Sequence, residues 1–177
     1  ALIANNTILM ITGEIKNQID RIWDHFWTSG VTNPMNVLEQ ITYLFFMKML
    51  DDKQIKEEAS AALFGNKVKN PVFPDGDWTN PETNLKVPYN ELRWSVFKNT
   101  GSTNMFNMVR NNVFVFIKNI GTGTESAYSR YMQNAIFLVP NDRTLQKVVD
   151  GIDALDMNNR DTMGDVYEYI LGKMAAS

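Results

Sequence analysis

The chain has 177 residues, of which 44% are hydrophobic and 21% are charged, a composition that is ordinary for a globular protein of one domain. It contains no cysteine, which excludes disulfides, thiolate metal sites and a cysteine nucleophile. The formal net charge of −3 at pH 7 differs from the basic charge that is usual for a protein that binds nucleic acid by itself. Its apolar runs are far shorter than the roughly 18 residues of a membrane span, so we expect a cytoplasmic protein.

The first nine residues are interpreted as a tail. Residues 1–9 lack the basic start and the long apolar run of a signal peptide, and Met10 is a possible initiator. We therefore assign residues 1–9 to a segment that was added to the protein or precedes its natural start. Residues 10–177 are assigned to one helical domain.

Two helices are predicted next. Apolar residues from Ile15 to Trp27 recur at the three- and four-residue spacing of one helix face. Thr12 is the predicted cap of this helix, and Gly30 lies where a glycine ends a helix. Asn33-Pro34 predicts the cap and the first turn of the second helix.

The second helix is expected to be central in the fold. Its apolar residues between Val37 and Leu50 occupy nearly the whole circumference, which predicts burial on all sides, and the helix becomes charged between Asp51 and Glu58. The core where the first two helices pack is predicted to contain Trp23, Phe26, Phe45 and Phe46.

The helical pattern is interrupted between residues 65 and 90. Prolines and glycines in this polar stretch exclude a long helix. The stretch can be a surface crossover with short turns, or a functional loop of the kind that long loops in compact domains often are.

Helical spacing then returns and continues to the end of the chain. Further helices are predicted from Leu92 to Val96, from Phe106 to Ile120 after a Ser102/Thr103 cap, from Glu125 to Leu138 after Thr124, from Leu145 to Leu155 after Asp142, and from Asp161 onward. The predicted fold class is all-α, a single helical-bundle domain with a long Pro/Asn-rich loop at about 65–90.

The residues that usually carry enzyme chemistry are scarce. His25 is the only histidine and is interpreted as a surface or boundary residue. Gly121-Thr122-Gly123 is a helix breaker and does not have the pattern of a phosphate-binding loop. The carboxylate pairs Asp51-Asp52 and Glu57-Glu58 are interpreted as a solvated helix face. We predict no catalytic residue, no cofactor-binding residue and no metal ligand in this chain.

The middle of the chain is basic although the whole is acidic. Residues 81–120 hold five basic side chains and only two acidic ones. Basic groups can neutralise phosphates and asparagines can donate to them, and this segment mixes both types with aromatic residues. It can be an ordinary solvated face or a surface that faces nucleic acid or a partner. The DNA-facing candidates are Arg93, Lys98, Arg110 and Lys118.

Three stretches of the sequence are similar to one protein family. Residues 37–52 read VLEQITYLFFMKMLDD, Val87-Pro88 is followed by Arg93-Trp94, and residues 161–171 read DTMGDVYEYIL. They resemble, in this order, the LxxLxFLKxLSD helix, the Pro…Arg-Trp element and the DxxGxxYEYLL helix of the DNA-methyltransferase (modification) subunits of type I restriction-modification systems. The likeness extends over nearly the whole chain and places it in the N-terminal helical domain of such a subunit.

The resemblance implies an enzyme larger than this chain. In that family a Rossmann-like catalytic domain follows the helical domain, binds S-adenosylmethionine and methylates adenine at N6. The implied partners are DNA, the specificity subunit that selects the sequence, a second modification subunit and, in the complete system, the restriction subunit.

The catalytic motifs of the family are expected after residue 177. Within the chain, Asn70-Pro71-Val72-Phe73 lacks the second proline of the family's Asn-Pro-Pro-Phe motif, and we assign it no catalytic role. The full-length protein is therefore expected to be an adenine-specific methyltransferase, and residues 1–177 alone are expected to be non-catalytic and to bind no cofactor.

Two other interpretations remain. The chain can be a free-standing helical protein-interaction module without enzymatic activity, or part of a related fused restriction-methylation polypeptide. The gene sequence after Ser177 distinguishes them, since a Gly-Gln-Phe…Thr-Pro stretch followed by Asn-Pro-Pro-Phe supports the modification subunit and a stop codon supports the free-standing module.

Overall fold

The computed structural model describes residues 2–120 and 127–156 together with Tyr169 and Gly172, and it describes side chains from Gly13 onward and again from Arg130. Two compact units can be distinguished within these ranges. The first unit comprises the residues up to Ile41 and those from Leu138, and the second unit comprises residues 42–137. The first boundary between the units, at residues 41 and 42, lies inside one long helix.

Helices make up most of the described residues, which confirms the all-α fold class. The helices are α1 Leu2–Thr28, α2 Pro34–Ala62, α3 Trp94–Phe97, α4 Ser102–Met108, α5 Phe114–Asn119, α6 Ala127–Met132 and α7 Asp142–Asp153. A 3₁₀ turn, Tyr89–Leu92, precedes α3, and a π-helical segment, Val109–Val113, joins α4 directly to α5. Over the part of the chain that is described, none of these helices is both long and apolar enough to cross a membrane.

Helix α1 starts earlier and ends where the sequence predicted. Thr12 lies inside the helix, so its prediction as the cap was wrong; residues 2–12 contain no proline or glycine that would break the helix before it. At the other end, Gly30 has φ +97°. The Val31 N–H donates to the Phe26 carbonyl at 3.0 Å and the Gly30 N–H to the Trp27 carbonyl at 3.2 Å, the paired bonds of a Schellman motif.

The first unit is built on the packing of α1 against α7. The two helices lie close together at Gly151, where an added Cβ would lie 2.8 Å from Ile22 Cγ1. Asn141, one residue before the predicted Asp142, caps α7, since its side chain accepts the Thr144 N–H at 2.8 Å. The buried apolar residues of these helices are Ile15, Ile19, Ile22, Trp23, Phe26, Leu145, Val148, Val149 and Ile152.

Helix α2 begins as predicted but is not buried on all sides. Asn33 accepts the Met35 N–H at 2.9 Å, which confirms the cap. Phe45 is buried, but Phe46 is only half-buried and Met49 is 43% exposed, so the expectation of burial all round was wrong. Part of the buried face of α2 is polar and consists of Gln40, Lys48, Asp51 and Gln54.

The stretch at residues 65–90 has more structure than a loop. Strands β1 (Asp77–Thr79) and β2 (Lys86–Pro88) pair antiparallel, with Trp78 opposite Val87. The sequence did not predict them, because strands of three residues are too short to show alternation. The rings of Phe73, Trp78 and Tyr89 pack around Phe116 of α5 with centroids 5.5, 5.5 and 6.2 Å from it, so the stretch contributes to the core of the second unit.

Gln54 of α2 forms two hydrogen bonds with the backbone of Phe73 in this stretch. Its Nε2 donates to the Phe73 carbonyl at 2.9 Å and its Oε1 accepts the Phe73 N–H at 2.8 Å. Gln54 is only 3% exposed, and these two bonds give both ends of its buried amide a partner. Among the described residues, no buried side-chain nitrogen or oxygen lacks a hydrogen-bond partner.

The remaining predicted helices agree with the structure only in part. Helix α4 follows Gly101, whose φ is +91°, and neither Ser102 nor Thr103 is its cap residue. Helix α6 ends at Met132, well before the predicted end at Leu138, and the Thr124 cap lies outside the described residues. The helix predicted from Asp161 onward also lies outside them apart from Tyr169 and Gly172.

Candidate functional site

The four predicted cations lie in different surroundings. Arg93 is held by carboxylates, Lys98 is half-buried at the end of α3, and Arg110 and Lys118 each lie over an aromatic ring. All four belong to the second unit.

Arg93 is the centre of an ion-pair cluster with helix α2. Its Nε donates to Asp51 Oδ1 at 2.5 Å, and its Nη1 and Nη2 donate to the two carboxylate oxygens of Glu58 at 3.1 and 2.7 Å. The guanidinium carbon lies 5.8 Å from the centroid of the Phe73 ring. Only 12% of the Arg93 side chain is exposed, so its charge is compensated inside the protein.

Asp51 is a buried carboxylate, which corrects its interpretation as part of a solvated face. It is 1% exposed, and its second oxygen, Oδ2, accepts the Ser95 N–H at 2.8 Å. Arg93 is the residue before α3 and has no side-chain cap of its own, so Asp51 supplies the acceptor that the first turn of α3 needs. Ordinary helix periodicity could not reveal this burial, because both partners of Asp51 lie more than 40 residues further along the chain.

Within this cluster, Arg93 and Glu58 each stabilise the ionised form of the other. The hydrogen bond from Arg93 holds the pKa of Glu58 below its usual value, although burial of Glu58 opposes that change. The hydrogen bond to Glu58 in turn raises the pKa of Arg93 above its usual value. Three of the five N–H donors of Arg93 bond to Asp51 and Glu58, and these two carboxylates would repel a phosphate that approached the guanidinium group. The geometry therefore favours a structural role for Arg93, in joining α2 to α3.

Arg110 and Lys118 flank a group of aromatic rings that we call the aromatic–cation cluster. The Arg110 guanidinium carbon lies 4.9 Å from the centroid of Phe106, and Lys118 Nζ lies 5.7 Å from that of Phe114. Both rings contact the same residue, Phe137, with centroid distances of 6.4 and 5.5 Å.

No carboxylate of the described residues neutralises the two cations of the cluster. Arg110 is exposed and donates through Nε to the neutral Asn111 side chain at 3.3 Å, and Lys118 is half-buried. Neither makes an ion pair with a carboxylate of the described residues. A ring face attracts a cation without neutralising it, so this arrangement presents positive charge at a defined position.

The π-helical segment, which contains Arg110, is anchored to the hairpin of β1 and β2. Asn80, which is fully buried, donates from Nδ2 to the Asn111 carbonyl at 2.9 Å and to Asn112 Oδ1 at 3.0 Å. Its Oδ1 accepts the Glu82 N–H at 2.8 Å. Single π-helical turns often occur at functional sites, and sequence analysis had no signal for either the segment or Asn80, because Asn in a loop usually indicates only a turn.

A groove of about 430 Å³ lies beside this segment. Its apolar part is formed by Val96, Phe97 and Met108, and its rim carries several asparagines and Glu91. We call it the asparagine groove.

Neither a metal-holding group of side chains nor a fully exposed histidine is found among the described residues. They contain no group of three or more His, Asp or Glu side chains placed to hold a metal ion. His25 is half-buried, and its pKa is lowered chiefly by burial and also by Lys147, against the opposing effect of Asp24. It is thus a boundary residue of the first unit.

Comparison with models of known protein families gives a match. A family model described as the HsdM N-terminal domain matches residues 15–152. The match includes Arg93, Lys98, Arg110 and Lys118 as well as the asparagine groove. No curated protein and no solved structure matches the chain.

Proposed function

The chain belongs to the HsdM N-terminal domain family, the N-terminal domain of the modification subunit of type I restriction-modification systems, and on this premise we propose that it helps to hold DNA in the assembled methyltransferase. The assembly consists of two modification subunits and a specificity subunit, joined by the restriction subunit in the complete system. Adenine-N6 methylation with S-adenosylmethionine belongs to a catalytic domain elsewhere in the modification subunit.

The observation that carries the proposal is the aromatic–cation cluster. Arg110 and Lys118 each lie over an aromatic ring, and both rings contact Phe137. No carboxylate of the described residues neutralises these two cations. Charged groups of this kind bind phosphates, which give protein–DNA complexes most of their sequence-independent affinity. Lys98, half-buried at the end of α3, is a further candidate, whereas Arg93 is proposed to act through the fold only.

The net charge determines how the cluster can act. The chain carries −3 overall, so its field as a whole does not attract DNA. Local cations contribute only when neighbouring subunits supply the rest of a positive groove. We therefore expect weak DNA binding by the chain alone and a measurable contribution in the assembled enzyme.

The test replaces Arg110→Gln and Lys118→Gln together in the assembled methyltransferase. If both side chains bind phosphates, DNA affinity falls on every sequence, and the slope of log K against log salt concentration becomes shallower by about 0.9 for each phosphate that the variant no longer neutralises. Sequence preference remains, because bonds to phosphate carry no base information. Fluorescence anisotropy over a salt series measures both quantities.

The matched control is Lys56→Gln with Lys69→Gln, two exposed lysines that lie outside the cluster and change the net charge equally. The control should leave the salt slope unchanged. An unchanged affinity and slope in a folded Arg110→Gln/Lys118→Gln assembly would contradict the proposal, as would an equal decrease in the control.

A further inference from the structure

The asparagine groove combines an apolar floor with amide groups. Val96 and Met108 are half-buried and contribute apolar surface beside the buried Phe97, and Asn104, Asn107 and Asn112 line the same groove. An amide carries both a donor and an acceptor, as does each peptide group of an extended chain. A groove of this composition can therefore bind main-chain groups on its rim and a side chain on its floor.

The amides are oriented by bonds within the protein. Asn104 donates one Nδ2 hydrogen to the Thr100 carbonyl at 3.3 Å, which leaves its Oδ1 and its second Nδ2 hydrogen for an occupant. Asn112 Oδ1 accepts from the buried Asn80 at 3.0 Å, which leaves its Nδ2 and the second lone pair of Oδ1. The groove thus offers donors and acceptors at two positions, and holding these amides in place beforehand reduces the entropy cost of binding.

The charge of the groove indicates the class of its occupant. Glu91 is the only ionisable residue among those that line it. A lone carboxylate repels phosphates and attracts a lysine or arginine. Nucleic acid is therefore disfavoured here, although the cations of the aromatic–cation cluster are on the same continuous helix.

We propose that the asparagine groove binds an extended polypeptide segment of another subunit, one that carries an apolar side chain next to a lysine or arginine. The apolar side chain lies on Val96 and Met108, the basic one pairs with Glu91, and the main chain bonds to Asn104 and Asn112. This inference rests on the proposed place of the chain in a multisubunit enzyme and adds to it the chemistry of one docking segment.

The experiment screens the full chain against a positional library of N-acetylated, C-amidated heptapeptides. Peptides with an apolar residue adjacent to lysine or arginine should be selected. Titration of a selected, fluorescein-labelled peptide should then show roughly tenfold weaker binding to Asn104→Ala, the change that corresponds to about 1.4 kcal/mol. Repeating the screen on Glu91→Lys should replace the basic preference by an acidic one, which misfolding or a purely structural effect could not produce.

The matched control is Glu82→Lys, which makes the same charge change on an exposed residue of the second unit outside the groove, and it should leave the selected peptides and their affinity unchanged. Selection of no peptide, or a preference that Glu91→Lys leaves as it was, overturns the proposal. So does binding of a short DNA duplex or single strand that Asn104→Ala weakens, since the groove would then be a nucleic-acid site. Because the DNA proposal is tested by the salt slope of Arg110 and Lys118 variants, either proposal can fail without the other.

Discussion

Asp51 of α2 is a buried carboxylate whose two oxygens both accept hydrogen bonds from a segment more than 40 residues away. In the sequence it opens a run of charged residues, and exposed pairs such as Lys53–Glu57, at 3.8 Å, are what such a run usually forms. In the structure Asp51 instead bonds both Arg93 and Ser95. Its burial is a consequence of its bonds to a distant segment, and the local pattern carries no information about them.

The buried ion pair predicts a large effect of Asp51→Ala on stability. The substitution leaves Arg93 with Glu58 as its only bonded carboxylate among the described residues and removes the acceptor of the Ser95 N–H. Breaking a buried pair from one side typically lowers the free energy of unfolding by about 3–5 kcal/mol. Urea denaturation followed by circular dichroism measures the change.

Glu57→Ala is the control for Asp51→Ala, since it removes a carboxylate from the same helix and from an ion pair whose lysine is 70% exposed. Its effect should stay within about 1 kcal/mol. Similar small changes in the two variants would show that Asp51 is solvated after all, as the charged run alone suggests.

At the scale of helices and strands, local signals predicted what local interactions determine. Gly30 and Asn33 were predicted as the end of one helix and the cap of the next, because the residues that form these motifs are adjacent in sequence. The hairpin, the π-helical segment and the early end of α6 were not predicted, because each depends on packing that periodicity does not encode.

Replacing each of two helical glycines by alanine should change the free energy of unfolding in opposite directions. Gly151→Ala in α7 gains about 1 kcal/mol of helix propensity, but its Cβ would meet Ile22 Cγ1 at 2.8 Å. Ile22 is 1% exposed and its Cγ1 cannot retreat easily, so overpacking of about 1–3 kcal/mol should dominate and destabilise the first unit. At Gly13 in α1, no atom of the described residues lies within 4 Å of an added Cβ, so Gly13→Ala should stabilise by about 0.5–1 kcal/mol.

Chemical denaturation of both variants compares the two signs directly. In an Ile22→Ala background, which removes the obstructing atom, Gly151→Ala should no longer destabilise. If both glycine substitutions stabilise the native chain alike, α1 and α7 do not approach each other as closely as the structure shows.

At the scale of the whole chain, the resemblance predicted more than composition did. Composition and periodicity were sufficient for an all-α fold, and the runs at 37–52 and 161–171 led to the family that the match over residues 15–152 then showed. The candidate site was predicted only as a basic segment. Its division into a structural Arg93 and a separate Arg110–Lys118 cluster could not be foreseen, because Asp51, Glu58 and Phe137 lie outside that segment.

The absence of a cofactor motif from the sequence predicts that this chain does not bind S-adenosylmethionine by itself. It contains neither a glycine-rich loop after a strand nor an Asn-Pro-Pro-Phe base pocket, the two features by which such enzymes hold the cofactor and the flipped adenine. Isothermal titration of the chain with S-adenosylmethionine should therefore give only the heat of dilution, whereas the full-length modification subunit under the same conditions should bind. A micromolar dissociation constant for the chain alone would contradict this prediction and would mean that these residues form a cofactor site of their own.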